Sequence, residues 1–378
     1  MFFHKPFNIL ILLLTLLFPV KGMGEDFVKV SVVIAEPYDV LYSCFGHAAL
    51  HLECPEHDLD YIFTCEGEPV QNNVSQFLLG NLKMGVFAMK PEIFLKDYKD
   101  QGRGVVEYEL NLPDEIKRRL WKQMDERLQE PHVAYDFVNY GCSHLIMVWL
   151  GKALEDTPVT FGEWPETFSQ SRKQLCADFC AKFPWNHLFL LSLIDGSLNN
   201  ESPMIEKVML PKDLVTVLQR ARINGEPLMK AQSKGLLPSK QTYDGGTIFT
   251  PLVIASLILL VTVVLFLCRK NAKVAAISKI WSWALLALQT ALGIFFVYLV
   301  CISSLPCSEW NWLIIPFNPL PLLLWRWRSR WAVPFAVICI TWIGAVLTVP
   351  FICEDHAYIP LVLALALMPF LSTRNLKN

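Results

Sequence analysis

What this sequence has too little of is net charge: 33 Lys and Arg against 35 Asp and Glu leave −2 at neutral pH over 378 residues. A protein held on nucleic acid by its phosphates needs a surplus of Lys and Arg. No stretch here interleaves basic with aromatic residues in a soluble setting, so nucleic-acid binding is excluded as a class. Charge of either sign is also scarce from Ile248 to Leu371, whereas residues 25–246 carry most of it. With 53% hydrophobic residues and a mean hydropathy of +0.36, the chain is too apolar for an ordinary soluble enzyme and reads as two domains. An Ala-x-Ala cleavage site is missing near the N-terminus. Even so, His4 and Lys5, the apolar core Phe7 to Val20 and the small residues Gly22 and Gly24 have the layout of a signal peptide over 1–24, with a retained anchor as the alternative. Either way Glu25 onward is exported.

The exported domain is expected over 25–231. Phe27 to Ile34 is rich in β-branched residues and suits a strand, as do Ala48 to Leu52, Tyr61 to Cys65 and Val105 to Leu110. The period then changes. Pro113 pre-sets a helical turn, and Ile116, Leu120, Met124 and Leu128 recur every four residues, an amphipathic helix ending near Pro131. The remainder to Ile223 reads as helical, with turns at Pro158, Pro165, Pro184 and Pro203. Cys44, Cys54, Cys65, Cys142, Cys176 and Cys180 all lie in this exported part, where disulfides form; Cys54 with Cys65 is the pairing expected.

A polar linker is expected over 232–246, then a membrane domain over 247–373 and a cytoplasmic tail over 374–378. Its candidate spans are 249–267, 280–303, a Pro-broken stretch 313–325, 331–350 and 358–371, about five in all. Arg269, Lys270, Lys273 and Lys279 follow the first span, Arg326, Arg328 and Arg330 the third, and Arg374 and Lys377 the fifth, while the alternate loops 305–311 and 351–357 contain no Lys or Arg. That one-sided bias puts the basic loops in the cytoplasm and the soluble domain outside. Cys307 and Cys353 then fall in exported loops and are expected to be bridged. Trp325 to Trp331, alternating Trp with Arg, reads as an interfacial anchor.

Chemistry is concentrated in two short stretches. In Tyr140-Gly141-Cys142-Ser143-His144 the cysteine opens an apolar run with a helical face, so it stands at a helix N-terminus, where free N–H groups and the helix dipole favour a thiolate. In Ser43-Cys44-Phe45-Gly46-His47 a histidine follows a glycine, and the alternation beyond it makes a strand that turns His47 away from Leu50 and Leu52. Each residue alone reads more simply as a buried core group; together they form a nucleophile and a base for covalent acyl transfer. Zinc competes, because His47 and His51 are four apart with Cys44, Cys54 and His57 nearby. On a strand, however, the two histidines are about 13 Å apart, too far to share an ion, so no metal is expected. Asp58 with Asp60 and Asp114 with Glu115 read as turn and helix-start residues.

The order of signal peptide, exported domain with Phe45-Gly46-His47, then Tyr135-Asp136-Phe137 and Cys142, and a terminal group of about five spans resembles the Lnb-type lipoprotein N-acyltransferases of Gram-negative bacteria. The histidine strand before a cysteine helix also resembles the permuted papain-like fold of lecithin:retinol acyltransferase, with Gly141 where both families favour Asn. The resemblance implies an α+β papain-like (permuted) periplasmic domain followed by an all-α transmembrane helical domain. It implies Cys142 as nucleophile and His47 as base, with Ser43, Tyr61 and His51 open as the orienting residue and His144 beside the nucleophile. The implied reaction moves an acyl chain from a phospholipid, through a Cys142 thioester, to the α-amine of a diacylated lipoprotein. It runs at the bacterial inner membrane and needs no cofactor. A Cys-His phospholipase or cell-wall peptidase, and a non-catalytic membrane sensor, are the other classes the residues leave open.

Overall fold

The computed structural model describes residues 28–371 apart from 39, 41–42, 69, 135, 137–138, 242–246, 350–351 and 354; the expected signal peptide and cytoplasmic tail lie outside the described residues. Among the described residues the strands are β1 (Lys29–Ala35), β2 (His47–Cys54), β3 (Leu59–Gly67), β4 (Lys83–Met89), β5 (Val105–Leu110), β6 (Val133–Ala134), β7 (Val159–Thr160), β8 (Arg222–Ile223), β9 (Glu226–Pro227) and β10 (Met229–Leu237). The helices of the soluble domain are α1 (Val74–Leu79), α2 (Pro91–Asp100), α3 (Asp114–Leu128), α4 (Cys142–Ala153), α5 (Arg172–Cys180), α6 (Pro184–Leu193) and α7 (Pro211–Arg220). Those of the membrane domain are α8 (Pro251–Cys268), α9 (Ala272–Cys301), α10 (Leu320–Leu323), α11 (Arg328–Thr348) and α12 (Tyr358–Leu371).

The soluble domain is α+β. Seven strands lie in the order β10-β5-β1-β2-β3-β4-β6 with antiparallel neighbours, and β7, β8 and β9 make a small second sheet. The alternation of β2 sends Leu50 and Leu52 to one face, where they join Val30, Val32 and Phe63 under α3 and α4. Ile116, Leu120 and Met124 of α3 and Ile146, Trp149 and Leu150 of α4 complete that core, while Leu128, fourth in the α3 repeat, is exposed. The opposite face carries Val33, Ala49, Ile62 and Val105 against Phe94 of α2. β2 is therefore covered on both sides, which fixes its register and the position of both its ends.

Three expectations are corrected. The linker does not begin at Gln232: Met229–Leu237 is strand β10, paired with β5 at the sheet edge, and Lys240 N–H still bonds the Gly102 carbonyl at 2.8 Å. Cys54 and Cys65 are both free. Cys54 stands opposite Leu59, six residues along β3 from Cys65, about 20 Å at the strand rise. Cys307 and Cys353 are not bridged to each other; the Cys353 thiol donates to the Asp355 carbonyl at 3.5 Å. The sulfurs that do approach are those of Cys44 and Cys180, 3.5 Å apart and buried.

In the membrane domain, three segments among the described residues are helices long and apolar enough to cross a bilayer: Pro251–Cys268, Ala272–Cys301 and Trp325–Thr348. Tyr358–Leu371 is a further, shorter apolar helix up to the last described residue. The Pro-broken stretch folds as short turns around α10. Its backbone is covered by protein: the buried Gln289 side chain donates to the carbonyls of Pro316 (2.7 Å) and Asn318 (3.1 Å). A Cβ on Gly293 would lie 2.5 Å from Asn318, so glycine is what lets that turn rest on α9.

The two domains are bolted together. Ser303 Oγ donates to the Leu78 carbonyl at 2.6 Å, and Ser304 N–H donates to that of Leu79 at 3.0 Å. Asn311 donates to the Ser192 carbonyl at 2.6 Å, His187 Nδ1 bonds Asp355 at 2.7 Å, and the Ser192 hydroxyl bonds that of Tyr358. Apolar packing follows the same route: Phe77, Leu82 and Leu193 share one core cluster with Leu299, Leu305 and Phe317.

Candidate active site

Cys142 is the first residue of α4, with Gly141 in extended conformation before it. The approach to it is fixed by Asp136, whose carboxylate accepts from the Asn139 N–H (2.9 Å) and side-chain amide (2.8 Å). The Asn139 side-chain oxygen in turn accepts from the Arg172 guanidinium at 3.1 Å. His47 is the first residue of β2. Gly46 before it has φ +80°, and a Cβ there would sit 2.7 Å from the Ala35 carbonyl oxygen, so the turn that aims His47 requires glycine.

Both residues line one cavity of about 460 Å³. Backbone N–H groups of Ala48, Ser143 and Cys142 itself favour the Cys142 thiolate. Burial nevertheless outweighs these donors and raises the thiol pKa. His47 is pushed down to about 4, by burial first and then by the Arg103 guanidinium. The resting pair is thus a neutral thiol and a neutral imidazole. This corrects the expectation that the helix N-terminus alone favours a thiolate: those dipoles are present, but the desolvation they oppose is larger.

His47 Nε2 is 2.7 Å from Thr64 Oγ1, and that hydroxyl donates to Glu66 Oε1 at 3.3 Å. A hydroxyl has one proton, so with it given to Glu66 the oxygen accepts from an N–H on Nε2. Nδ1 then carries the lone pair, and it is the nitrogen that can take a proton. Thr64 was not among the expected site residues. Strand pairing could have located it: one step beyond the Leu50–Phe63 pair, Thr64 stands opposite Ala49, on the same face as His47. Arg103 was also missed. It is buried, donates through Nε to the Glu36 carbonyl at 2.7 Å, and lies under the Tyr98 ring at 4.7 Å.

Of the expected supporting residues, Ser43 and His144 line the cavity with His47 and Cys142, and Tyr61 and His51 do not. The Ser43 hydroxyl donates to the Val40 carbonyl at 3.2 Å, so it shapes the turn before Gly46. His144 bonds the Ile205 backbone, and burial lowers its pKa. Tyr61 packs on the core beneath the Lys90 ammonium, 4.4 Å from its ring centre. His51 is held between Glu107 and Asp60, the latter at 2.6 Å. Burial pushes its pKa down, but the two carboxylates more than offset this and the net shift is upward.

The cavity lining is of two kinds: Glu66, Asp97, Gln101 and Arg103 are polar or charged, and Phe45, Phe77, Leu190, Leu193, Ile194 and Met209 are its apolar part, here called the apolar arm. Such a site can desolvate a nucleophile and hold an amphipathic substrate across it.

Two family models match the chain. The Lnb N-terminal periplasmic domain matches residues 25–165 and the Lnb transmembrane domain matches residues 243–377, so that between them they take in well over half of the sequence. No curated protein and no solved structure matches it. The chain is a membrane protein with a periplasmic part.

Proposed function

We propose, from the premise that this chain belongs to the Lnb family, that it is a lipoprotein N-acyltransferase of the inner membrane whose nucleophile is Cys142 and whose base is His47. The observation that carries this reading is the single cavity holding both residues between a polar wall and an apolar arm. A phospholipid has that polarity, with its ester bonds at the junction.

In the first half-reaction His47 Nδ1 takes the thiol proton as the sulfur attacks the acyl carbonyl. The carbonyl oxygen gains the negative charge, and the backbone N–H groups gathered around the sulfur are the donors near enough to stabilise it. Collapse breaks the C–O bond. The leaving lysophospholipid oxygen takes the proton from His47, and an acyl thioester remains. In the second half-reaction the neutral α-amine of a diacylated lipoprotein attacks the thioester, His47 accepts the amine proton, and the departing sulfur takes it back. The products are an N-acyl amide and the starting thiol. No cofactor enters the scheme.

The purified full-length protein incubated with phospholipid alone should release about one equivalent of lysophospholipid and gain one acyl mass on the Cys142 peptide. Hydroxylamine should remove that mass, and a diacylated lipopeptide should collect it on its N-terminus. Free fatty acid with no triacylated product would mean a hydrolase instead. Transfer with no acylated enzyme at any time would mean direct attack without a thioester.

A further inference from the structure

Part of the apolar wall of the cavity is backed by the membrane domain. Phe77, from α1, and Leu193, the last residue of α6, line the arm and are 5% and 1% exposed. Behind them stand Leu299, Leu305 and Phe317 of the membrane domain, in the same core cluster. Neither wall residue is free to retreat. The carbonyls of Leu78 and Leu79, directly after Phe77, accept from Ser303 and Ser304 at 2.6 and 3.0 Å. The Ser192 carbonyl, directly before Leu193, accepts from Asn311 at 2.6 Å. A Cβ on Gly80 would lie 2.5 Å from Ser304, so the end of α1 also sits flush against the membrane domain. Both wall residues therefore project from backbone that is pinned to the transmembrane bundle. A packed wall on pinned backbone resists displacement, because making room costs overpacking strain.

We infer that this arm takes the acyl chain being transferred, and that Phe77 and Leu193 are its floor and set the longest chain the enzyme accepts. The inference rests on the acyl-transfer reading above and adds the specificity-determining residues to it. The occupant follows from the position of the arm. The same cavity is lined by Cys142, where the acyl carbonyl must lie, and by Phe45, Leu190, Ile194 and Met209, and its wall residues Phe77 and Leu193 pack on the membrane domain, the part of the molecule embedded where acyl chains are found. An apolar slot of this kind discriminates by fit, and a surplus methylene at a rigid end is worth about 10-fold or more.

The test uses the full-length protein in detergent with phosphatidylglycerols carrying decanoyl, hexadecanoyl or icosanoyl chains, and reads the rate at which each acyl mass appears on Cys142. Leu193→Phe should reduce the hexadecanoyl rate relative to the decanoyl rate by about 10-fold. Leu193→Ala and Phe77→Leu should raise the icosanoyl rate relative to the decanoyl rate. Because each variant is scored against its own decanoyl rate, a partly folded preparation still reports the ratio. Phe77→Leu, from the other side of the floor, serves where a Leu193 variant does not fold. Ratios that match the wild type in all three variants, with acylation otherwise normal, would overturn the inference and leave the acyl-transfer reading standing. No acyl mass on wild-type Cys142 from any donor would sink the acyl-transfer reading itself.

Discussion

Replacing Thr64 by Val tests the His47 arrangement with almost no change of shape. Thr64 is fully buried (0% exposed), its hydroxyl 2.7 Å from His47 Nε2 and 3.3 Å from Glu66. Valine keeps the volume and the β-branch but removes both bonds. The lost hydrogen bond is worth about 1 kcal/mol net, and the buried Nε2–H left without an acceptor adds about 1–2 kcal/mol. Some of that penalty is relieved when the ring turns, and a turned ring no longer presents Nδ1 to the thiol. At about 1.4 kcal/mol per decade, the acylation step should slow by about 10- to 100-fold. The assay is single-turnover formation of the Cys142 acyl mass, with the thermal midpoint recorded beside it. Thr64→Ser, which restores the hydroxyl, should recover most of the rate, although it has lost a methyl that Val keeps. A purely packing role would give the opposite order. Val acylating within about twofold of wild type, or Ser no faster than Val, would refute the assignment of Thr64 as the positioning residue.

Other consequences can be checked separately. His47 must be neutral to act as a base, and its pKa is lowered to about 4, so the acylation rate should stay flat through the mildly acid range and fall only as pH drops through about 4; a midpoint near 6.5, the ordinary histidine value, would show that the base is not the half-buried His47 ring described here. The same depressed pKa makes the folded state bind fewer protons than the unfolded one, so its contribution to stability is present above 6.5 and is lost as pH falls toward about 4. His51 has the opposite sign: its pKa is raised, so the stability it contributes is complete below 6.5 and is lost as pH rises through its folded value. His51→Leu leaves Glu107 without its buried partner and should cost about 3 kcal/mol in denaturant titration while the folded fraction acylates normally; loss of acylation in folded protein would return His51 to the site. Gly46→Ala places a Cβ 2.7 Å from the Ala35 carbonyl at φ +80° and should slow acylation through His47 even where the protein folds, measured by the same single turnover. Incubation with oxidised glutathione should join Cys44 to Cys180, reducing the glutathione disulfide to two thiols, and leave Cys54 and Cys65 as thiols that alkylate once the protein is denatured; a Cys54–Cys65 peptide cross-link would contradict the strand register.

What was legible in the sequence was whatever rests on local periodicity. The four-residue recurrence from Ile116 marks α3, alternation around Leu50 and Leu52 marks β2, and the change from Gly141 to an apolar run marks the start of α4. These patterns were enough to place His47 at one strand end and Cys142 at one helix start. They do not encode which elements lie side by side. Thr64 reaches His47 only through the pairing of β2 with β3, and Arg103 only through the pairing of β1 with β5 and the turn before it. β10 was hidden because an exposed edge strand carries polar residues, and Gln232, Ser233 and Lys234 look the same in a strand as in a linker. The Pro-broken character of 313–325 was legible, because Pro316, Pro319 and Pro321 withhold the N–H groups a continuous helix needs, but the short turns that replace the helix were not.

The charge state of the site bears on why its two domains share one chain. A neutral Cys142 thiol beside a neutral His47 is a poor nucleophile until something favours the ion pair, and burial is the largest cause of that neutrality for both groups. The burial is not supplied by the soluble domain alone, because Phe77 and Leu193, which wall the cavity, are themselves covered by the membrane domain. Separating the domains would expose those side chains to water and hydrate the far end of the arm. Water in the arm would stabilise the charged forms, but it would also be present at the thioester, where it competes with the amine for the acyl carbon. On the acyl-transfer reading, docking the soluble domain on the bundle trades resting reactivity for a better-shielded thioester. A transferase gains from that exchange because its thioester has to last until the second substrate arrives.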